Sequence, residues 1–195
     1  MKAADIDGPG ERRPLSPAMS EDPSGGSPDQ RTSPADEAAL FARLSQLGIA
    51  TRTVEHPPVF TVEEAKRLRG ALPGGHCKSL FLRNKKGGMW LVVTLEDRPI
   101  DLKKLGERIG AGRVSFASAE RLMAHLGVVP GAVTPFAVLN DRAKLVKVVL
   151  DAAMLRYSPL NYHPLRNDRT TAIGPQDLIR FLEAEGHPPW ILDIG

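Results

Sequence analysis

The sequence predicts an α/β domain of the α+β type, in which a mixed, largely antiparallel sheet or partial barrel is surrounded by helices. Three observations predict it. Two β-rich runs are joined by a Gly-containing turn, further strand-length apolar runs follow, and isolated amphipathic helical segments break up the strands. A doubly wound sheet is not expected. Gly74-Gly75 and Gly87-Gly88 lack the spacing of a dinucleotide loop or a P-loop, so no nucleotide cofactor is implied.

The domain is read as residues 35–195, preceded by an extension over residues 1–34. Of those first 34 residues, 15 are Pro, Gly or Ser, none is aromatic, and apolar side chains recur at no helical or strand period. Such a segment cannot offset the entropy of ordering it, so it is expected to be disordered. It holds four Lys/Arg against six Asp/Glu, which leaves the domain with 22 bases and 17 acids, a net charge of +5. No apolar run approaches the ~20 residues that span a bilayer, so no membrane association is expected. Cys77 is the only cysteine, which excludes an internal disulfide and a multi-thiolate metal site and points to a reducing, cytoplasmic location.

Taken in order, Ser33-Pro34 with Asp36 and Glu37 opens a helix whose Leu40, Phe41, Leu44 and Leu47 share a face, and Gly48 ends it. Thr51 to Glu55 is a short extended run, interrupted by His56-Pro57-Pro58. Thr61 and Glu64 have capping-box spacing and open a short helix that Gly70 closes. Cys77–Arg83 and Met89–Leu95 form a hairpin around Asn84-Lys85-Lys86-Gly87-Gly88, whose glycines supply the positive φ of the turn. Asp101 and Ser118 each cap an amphipathic helix. Thr134–Leu139, Leu145–Leu150 and Thr170–Ile173 read as strands, and Pro175–Glu185 as a last helix with Leu178, Ile179 and Leu182 inward.

Lys78 is the residue that this pattern least explains. Strand alternation puts Lys78, Leu80 and Leu82 on one face and Cys77, Ser79 and Phe81 on the other. An ammonium among leucines needs a route to water or an anionic partner, and a bound phosphate or carboxylate would supply the second. Gly127–Pro135 is a Gly/Pro-rich loop whose small side chains leave amides accessible to a ligand, although such loops also serve simply as turns. Asn161–Asn167 places polar groups around His163, which can hydrogen-bond a substrate, titrate near neutrality or anchor a turn. His56, His76, His125 and His187 have no metal-ligand spacing, so no metal is expected. Basic groups recur at Lys66, Arg67 and Arg69, at Arg83, Lys85 and Lys86, at Lys103 and Lys104, and at Arg142, Lys144 and Lys147. They permit contact with a phosphate backbone, and equally they solvate helix faces and hairpin tips.

Taken together, Gly75-His76-Cys77-Lys78-Ser79-Leu80-Phe81-Leu82, Gly131-Ala132-Val133-Thr134-Pro135 and His163-Pro164-Leu165-Arg166-Asn167 resemble the bacterial prolyl-tRNA synthetase editing-domain (YbaK-like) family. Within it the chain is similar to the free-standing alanyl-tRNA-Pro deacylases, from about Phe41 to Asp193. The resemblance implies an ester hydrolase acting on the acceptor end of tRNA-Pro, with no cofactor, and with prolyl-tRNA synthetase or an elongation factor as transient partners. It implies that Lys78 is the essential lysine and that Gly131 to Pro135 is the G-x-x-x-P substrate loop. Lys78 and the amides after Gly131 are then expected to face one cavity, with His163 bordering the aminoacyl pocket. Ser79 stands where relatives often carry Asn, a shorter group with less reach. Val59, Phe60 and Val62 are the candidate wall against proline, and Arg83, Lys85 and Lys86 the candidate tRNA contacts. Another small or thiol-bearing aminoacyl-tRNA, or a non-catalytic tRNA-binding role, remain the alternatives.

Overall fold

A computed structural model of the chain describes residues 34–57 and 72–194. The expected helix from Thr61 to Gly70, the wall residues Val59, Phe60 and Val62, and the basic group at Lys66, Arg67 and Arg69 lie outside the described residues.

Helix α1 (Glu37–Gln46) starts where Asp36 accepts a hydrogen bond from the Ala39 amide at 2.9 Å, two residues after the Ser33-Pro34 signal. Strand β1 (Arg52–Glu55) follows. The hairpin of β2 (Gly75–Asn84) and β3 (Met89–Leu95) forms as its turn chemistry demands. The Asn84 carboxamide oxygen accepts from the amides of Lys86 and Gly88 at 3.0 and 2.9 Å, while Gly87 sits at φ 85°. Helix α2 (Leu102–Arg108) is capped by Asp101 and helix α3 (Ala119–Leu126) by Ser118, with the three-residue strand β4 (Val114–Phe116) between them. Strands β5 (Val146–Asp151), β6 (Leu160–Tyr162) and β7 (Arg169–Ile173), helix α4 (Pro175–Ala184) and strand β8 (Trp190–Leu192) complete the described elements.

One element differs in kind from the expectation. Thr134–Leu139 is not a strand: Pro135–Asn140 forms a 3-10 helix, with Thr134 Oγ1 accepting from the Phe136 amide at 3.4 Å and Pro135 in the first turn. A short apolar run has no periodicity that separates strand from buried helix, and the proline with its threonine cap decides the matter locally.

The sheet is mixed, in the order β1-β7-β6-β2-β3-β5-β8, with β4 also paired to β2. The hairpin, β1/β7, β6/β7 and β2/β4 are antiparallel, whereas β2/β6, β3/β5 and β5/β8 are parallel. β3 lies mid-sheet and is buried on both faces. Met89, Leu91 and Val93 enter the larger core with α1, α3, α4 and the 3-10 helix, and Trp90 and Val92 enter a smaller one closed by Leu105, Ile109 and Ile194. The alternation expected for β2 holds: Cys77 and Phe81 pack with the larger core, and Leu80 and Leu82 with the smaller. No helix among the described residues is long and apolar enough to cross a membrane.

Candidate functional site

Lys78 stands on β2 opposite Thr94 of β3, on the face that carries Leu80 and Leu82. It is half-buried, and its Nζ donates to the backbone carbonyl of Arg98 at 2.5 Å. Burial lowers its pKa from the ordinary lysine value, and the nearby Asp97 and Glu96 act in the opposite sense. The fold therefore keeps a cation at the margin of an apolar surface, with a neutral oxygen as its hydrogen-bond acceptor.

His163 stands one residue past the end of the neighbouring strand β6. β6 runs parallel to β2 with His76 beside Asn161, so His76 and Lys78 share a face with Asn161, while Leu160 and Tyr162 point into the larger core. His163 follows Asn161 by two residues, and its ring lies 6.1 Å from that of His56. Its Nδ1 pairs with the Arg169 carbonyl at 2.8 Å, so Nδ1 carries the proton and Nε2 is the acceptor nitrogen. Burial pushes the pKa of His163 down, opposed by the Arg169 hydrogen bond, with His56 adding to the depression and Asp168 opposing it. The ring is neutral at pH 7.

A consequence for stability follows from that direction. Unfolded, this histidine binds a proton near its ordinary value of 6.5; folded, it resists doing so until lower pH. The unfolded state then holds more protons between the two values, so stability falls as pH drops through about 6.5 towards the folded pKa and falls no further below it. His163→Gln is expected to show a smaller loss of melting temperature between pH 7.5 and 5 than the parent. An equal loss in both would remove His163 as its source.

A cavity of about 470 Å³ opens on this face, lined in part by Val54, Leu72, Pro73, Asn161, Thr170 and Ala172. Thr170 also holds His56, whose Nε2 lies 2.9 Å from Thr170 Oγ1, so the cavity adjoins the histidine pair. His76 pairs with the Leu72 carbonyl at 3.0 Å on the same side. The place of His56 beside His163, and of His76 beside Asn161, depends on strand pairing, which spacing along the chain does not reveal.

The Gly131–Pro135 loop packs its side chains on the larger core. Gly131 is exposed at φ 91°, and the Ala132 amide donates back to the Val129 carbonyl at 3.0 Å within the turn. Ala132, 1% exposed, packs in the larger core with Val133 against it, together with Phe136 and Tyr162. Thr134 and Pro135 are buried as the start of the 3-10 helix. The Ala132 and Val133 side chains lie on the side of β2 to which Cys77 and Phe81 point. Ser79 alternates to that side as well. Cys77, also there, has its thiol pushed up to about 12, chiefly by burial, which suits packing and not nucleophilic chemistry.

Arg83, Lys85 and Lys86 sit at the end of β2 and on the exposed hairpin tip. At roughly 3.4 Å per residue, Arg83 is about 17 Å along the strand from Lys78. That separation suits contact with a long polyanion on one side of the molecule, and not joint contact with a single phosphate.

A half-buried lysine on β2, a histidine just past β6 and a cavity lined by Asn161 and Thr170 sit on a mixed sheet in a small α/β domain. The chain belongs to the aminoacyl-tRNA editing domain family, which residues 56–181 match. Prolyl-tRNA synthetase associated domain-containing protein 1 of Bos taurus is 42% identical over 162 residues, covering 80% of this chain and 94% of its own length. The prolyl-tRNA editing protein ProX of Acetoanaerobium sticklandii is 39% identical over 150 residues, covering 76% and 92% respectively. A crystal structure of a candidate trans-editing enzyme for prolyl tRNA synthetase has a TM-score of 0.62 at 24% identity, covering 83% of this chain and 99% of that one, a likeness of fold. The expected kinship was with bacterial proteins; these relatives include an animal protein as well as a bacterial one.

Proposed function

We propose that the chain is a trans-editing hydrolase that removes alanine from mischarged alanyl-tRNA-Pro. Membership of the editing-domain family supports deacylation, and the name of the bacterial relative supports the link to proline decoding. The observation that carries the reading is Lys78, a cation on the strand face that also carries Asn161 of the cavity wall, whose Nζ donates to a backbone carbonyl with Asp97 and Glu96 nearby. Its positive charge remains available to a phosphate.

In this mechanism Lys78 holds the phosphate of the terminal adenosine, and water attacks the ester carbonyl. The bond from that carbonyl to the ribose oxygen breaks, releasing alanine and a tRNA with a free terminal hydroxyl. An aminoacyl ester is already activated, so positioning supplies most of the rate and no protein nucleophile is required. The neutral His163 suits this substrate: its Nε2 can accept a hydrogen bond from the α-ammonium or from the attacking water, whereas an imidazolium would repel the ammonium. Arg83, Lys85 and Lys86 would follow the acceptor stem. Prolyl-tRNA synthetase or an elongation factor would deliver or receive the tRNA transiently, in the cytoplasm.

Rejection of proline requires a wall close to the ester, since a rigid wall excludes a larger group where affinity alone discriminates poorly. Val59, Phe60 and Val62 are the candidates for it. A relative from Escherichia coli, 30% identical over 150 residues and named multifunctional Ser/Thr-tRNA deacylase ProXp-y, favours a second substrate set, small or thiol-bearing aminoacyl groups other than alanine. A deacylation panel of alanyl-, prolyl-, seryl- and cysteinyl-tRNA separates the readings: alanine should be released from tRNA-Pro while prolyl-tRNA-Pro persists. Hydrolysis of prolyl-tRNA-Pro at a comparable rate would overturn the proposal, and faster release of serine or cysteine would move it to the second set.

A further inference from the structure

Lys78, Thr94 and Asp151 occupy matching register positions on β2, β3 and β5. Lys78 is paired with Thr94, and Val93 with Leu150, which sets Thr94 beside Asp151. All three belong to the face of the smaller core, where Val92 and Val149 precede Thr94 and Asp151 by two residues. Thr94 and Asp151 are both fully buried, so a carboxylate lies within an otherwise apolar layer.

That carboxylate is already occupied. Thr94 Oγ1 donates to Asp151 Oδ2 at 2.7 Å and the Ala153 amide to Oδ1 at 3.1 Å, while Arg98 Nε lies 3.4 Å from Oδ2 as an ion pair. The other end of the guanidinium donates to Asp193 Oδ1 at 2.8 Å, and the Arg108 side chain bonds the Asp193 backbone carbonyl. Arg98 thus meets both Lys78 and Asp151: its carbonyl accepts from Lys78, and its side chain pairs with Asp151 by charge through Nε, which makes no hydrogen bond, while Nη2 is held by Asp193. The Arg98 amide also donates to the Leu95 carbonyl at 3.2 Å, which ties down the backbone presenting the oxygen that Lys78 uses.

A buried ion pair is a weak source of stability, since well-packed apolar residues often do as well in its place. Its consequence for Lys78 is more specific. Two strand spacings, about 10 Å, separate the backbones of Lys78 and Asp151, a gap that a lysine and an aspartate reaching across one face can close. With the guanidinium gone, Asp151 would be a buried carboxylate in need of a cation, and Lys78 the cation in reach. A lysine so paired would be neutralised towards an incoming phosphate. Bonded to the Arg98 carbonyl, with Asp97 and Glu96 nearby also favouring the charged form, it keeps its charge.

We propose that Arg98 is a positioning residue for Lys78: its guanidinium occupies Asp151 and its carbonyl supplies a neutral acceptor, which together keep the ammonium charged and turned towards the ligand. This rests on reading Lys78 as the cation that holds substrate.

The test compares Arg98→Ala, Asp151→Asn and the double variant. Each is assayed for deacylation of alanyl-tRNA-Pro, for thermal melting, and for the rate at which an amine-acylating reagent labels Lys78, read by mass spectrometry. Arg98→Ala should lose about tenfold or more in kcat/KM, and Lys78 should label several-fold more slowly because an ion-paired ammonium is a poorer source of free amine. The double variant should recover most of both, since the competing carboxylate is removed. A merely structural role for Arg98 predicts no such recovery. Arg98→Met, which retains most of the stem, serves where Arg98→Ala does not fold. Labelling unchanged in the single variant, or a double variant no better than the single, would overturn the proposal. If wild type releases no amino acid from any tRNA but labelling follows the predicted pattern, the positioning stands and the substrate reading falls.

Discussion

Lys78→Ala is expected to reduce deacylation of the preferred aminoacyl-tRNA by about 10²- to 10³-fold in kcat/KM, the scale of losing one preorganised electrostatic contact to the reacting substrate. The side chain is half-buried, and its Nζ donates to the Arg98 carbonyl with Asp97 and Glu96 nearby. Its loss opens no sealed cavity, so the melting temperature should move by only a few degrees, on the order of 1 kcal/mol. The separation of the two effects is the informative part. Lys78→Met keeps the apolar stem beside Leu80 and should melt like the parent while remaining as inactive as the alanine variant. Lys78→Arg keeps the charge but replaces a compact ammonium with a planar fork, and should recover only part of the rate. Single-turnover assays at saturating and limiting enzyme locate the loss in binding or in chemistry. Wild-type turnover in Lys78→Met would show that the ammonium does not act on the substrate.

Much of this site could be read along the chain, and its limits have a common physical origin. The face of Lys78 followed from strand alternation alone, because β2 pairs with β3 without a bulge from Cys77 to Arg83. The hairpin and the caps at Asp101 and Ser118 were equally legible, since each depends on residues within three or four positions. The row formed with Thr94 and Asp151 was not. It depends on a parallel pairing between β3 and β5, set by packing across more than 50 residues of chain. Strands β4, β6 and β8 have three residues each, too few for a periodicity, and their partners define them. The Gly131 loop was legible as a turn from its glycine and prolines, whereas the burial of Ala132, Pro135 and Phe136 depends on residues distant in the chain. The role of His163 was open in sequence between ligand and turn anchor; the structure gives its Nδ1 to the turn and leaves the other nitrogen to be accounted for by substrate assays.

The stability of the scaffold beneath the site should be most sensitive at Phe136. The ring is fully buried and meets Phe181 of α4 edge to face at 5.6 Å and Tyr162 of β6 at 5.9 Å. Its backbone cannot easily follow a lost side chain inward. Thr134 caps the 3-10 helix that carries it, the Asp141 amide closes that helix onto the Val138 carbonyl at 3.0 Å, and Asp141 Oδ2 accepts from the Val146 amide at 2.7 Å. A residue held at both ends leaves a cavity when truncated. Phe136→Ala is therefore expected to cost about 3–5 kcal/mol, a large part of the roughly 5–15 kcal/mol that stabilises a typical domain. The corresponding fall in melting temperature is on the order of 10 °C. Phe116 is the control: the same substitution at a ring 60% exposed on β4 should change stability by no more than about 0.5 kcal/mol. Because Tyr162 immediately precedes His163, loosening its packing should also lower activity below the melting transition, by less than loss of Lys78 does. Urea titrations of the two phenylalanine variants beside the parent decide the matter. Equal midpoints for Phe136→Ala and Phe116→Ala would mean that the 3-10 helix does not key the larger core to α4 and β6.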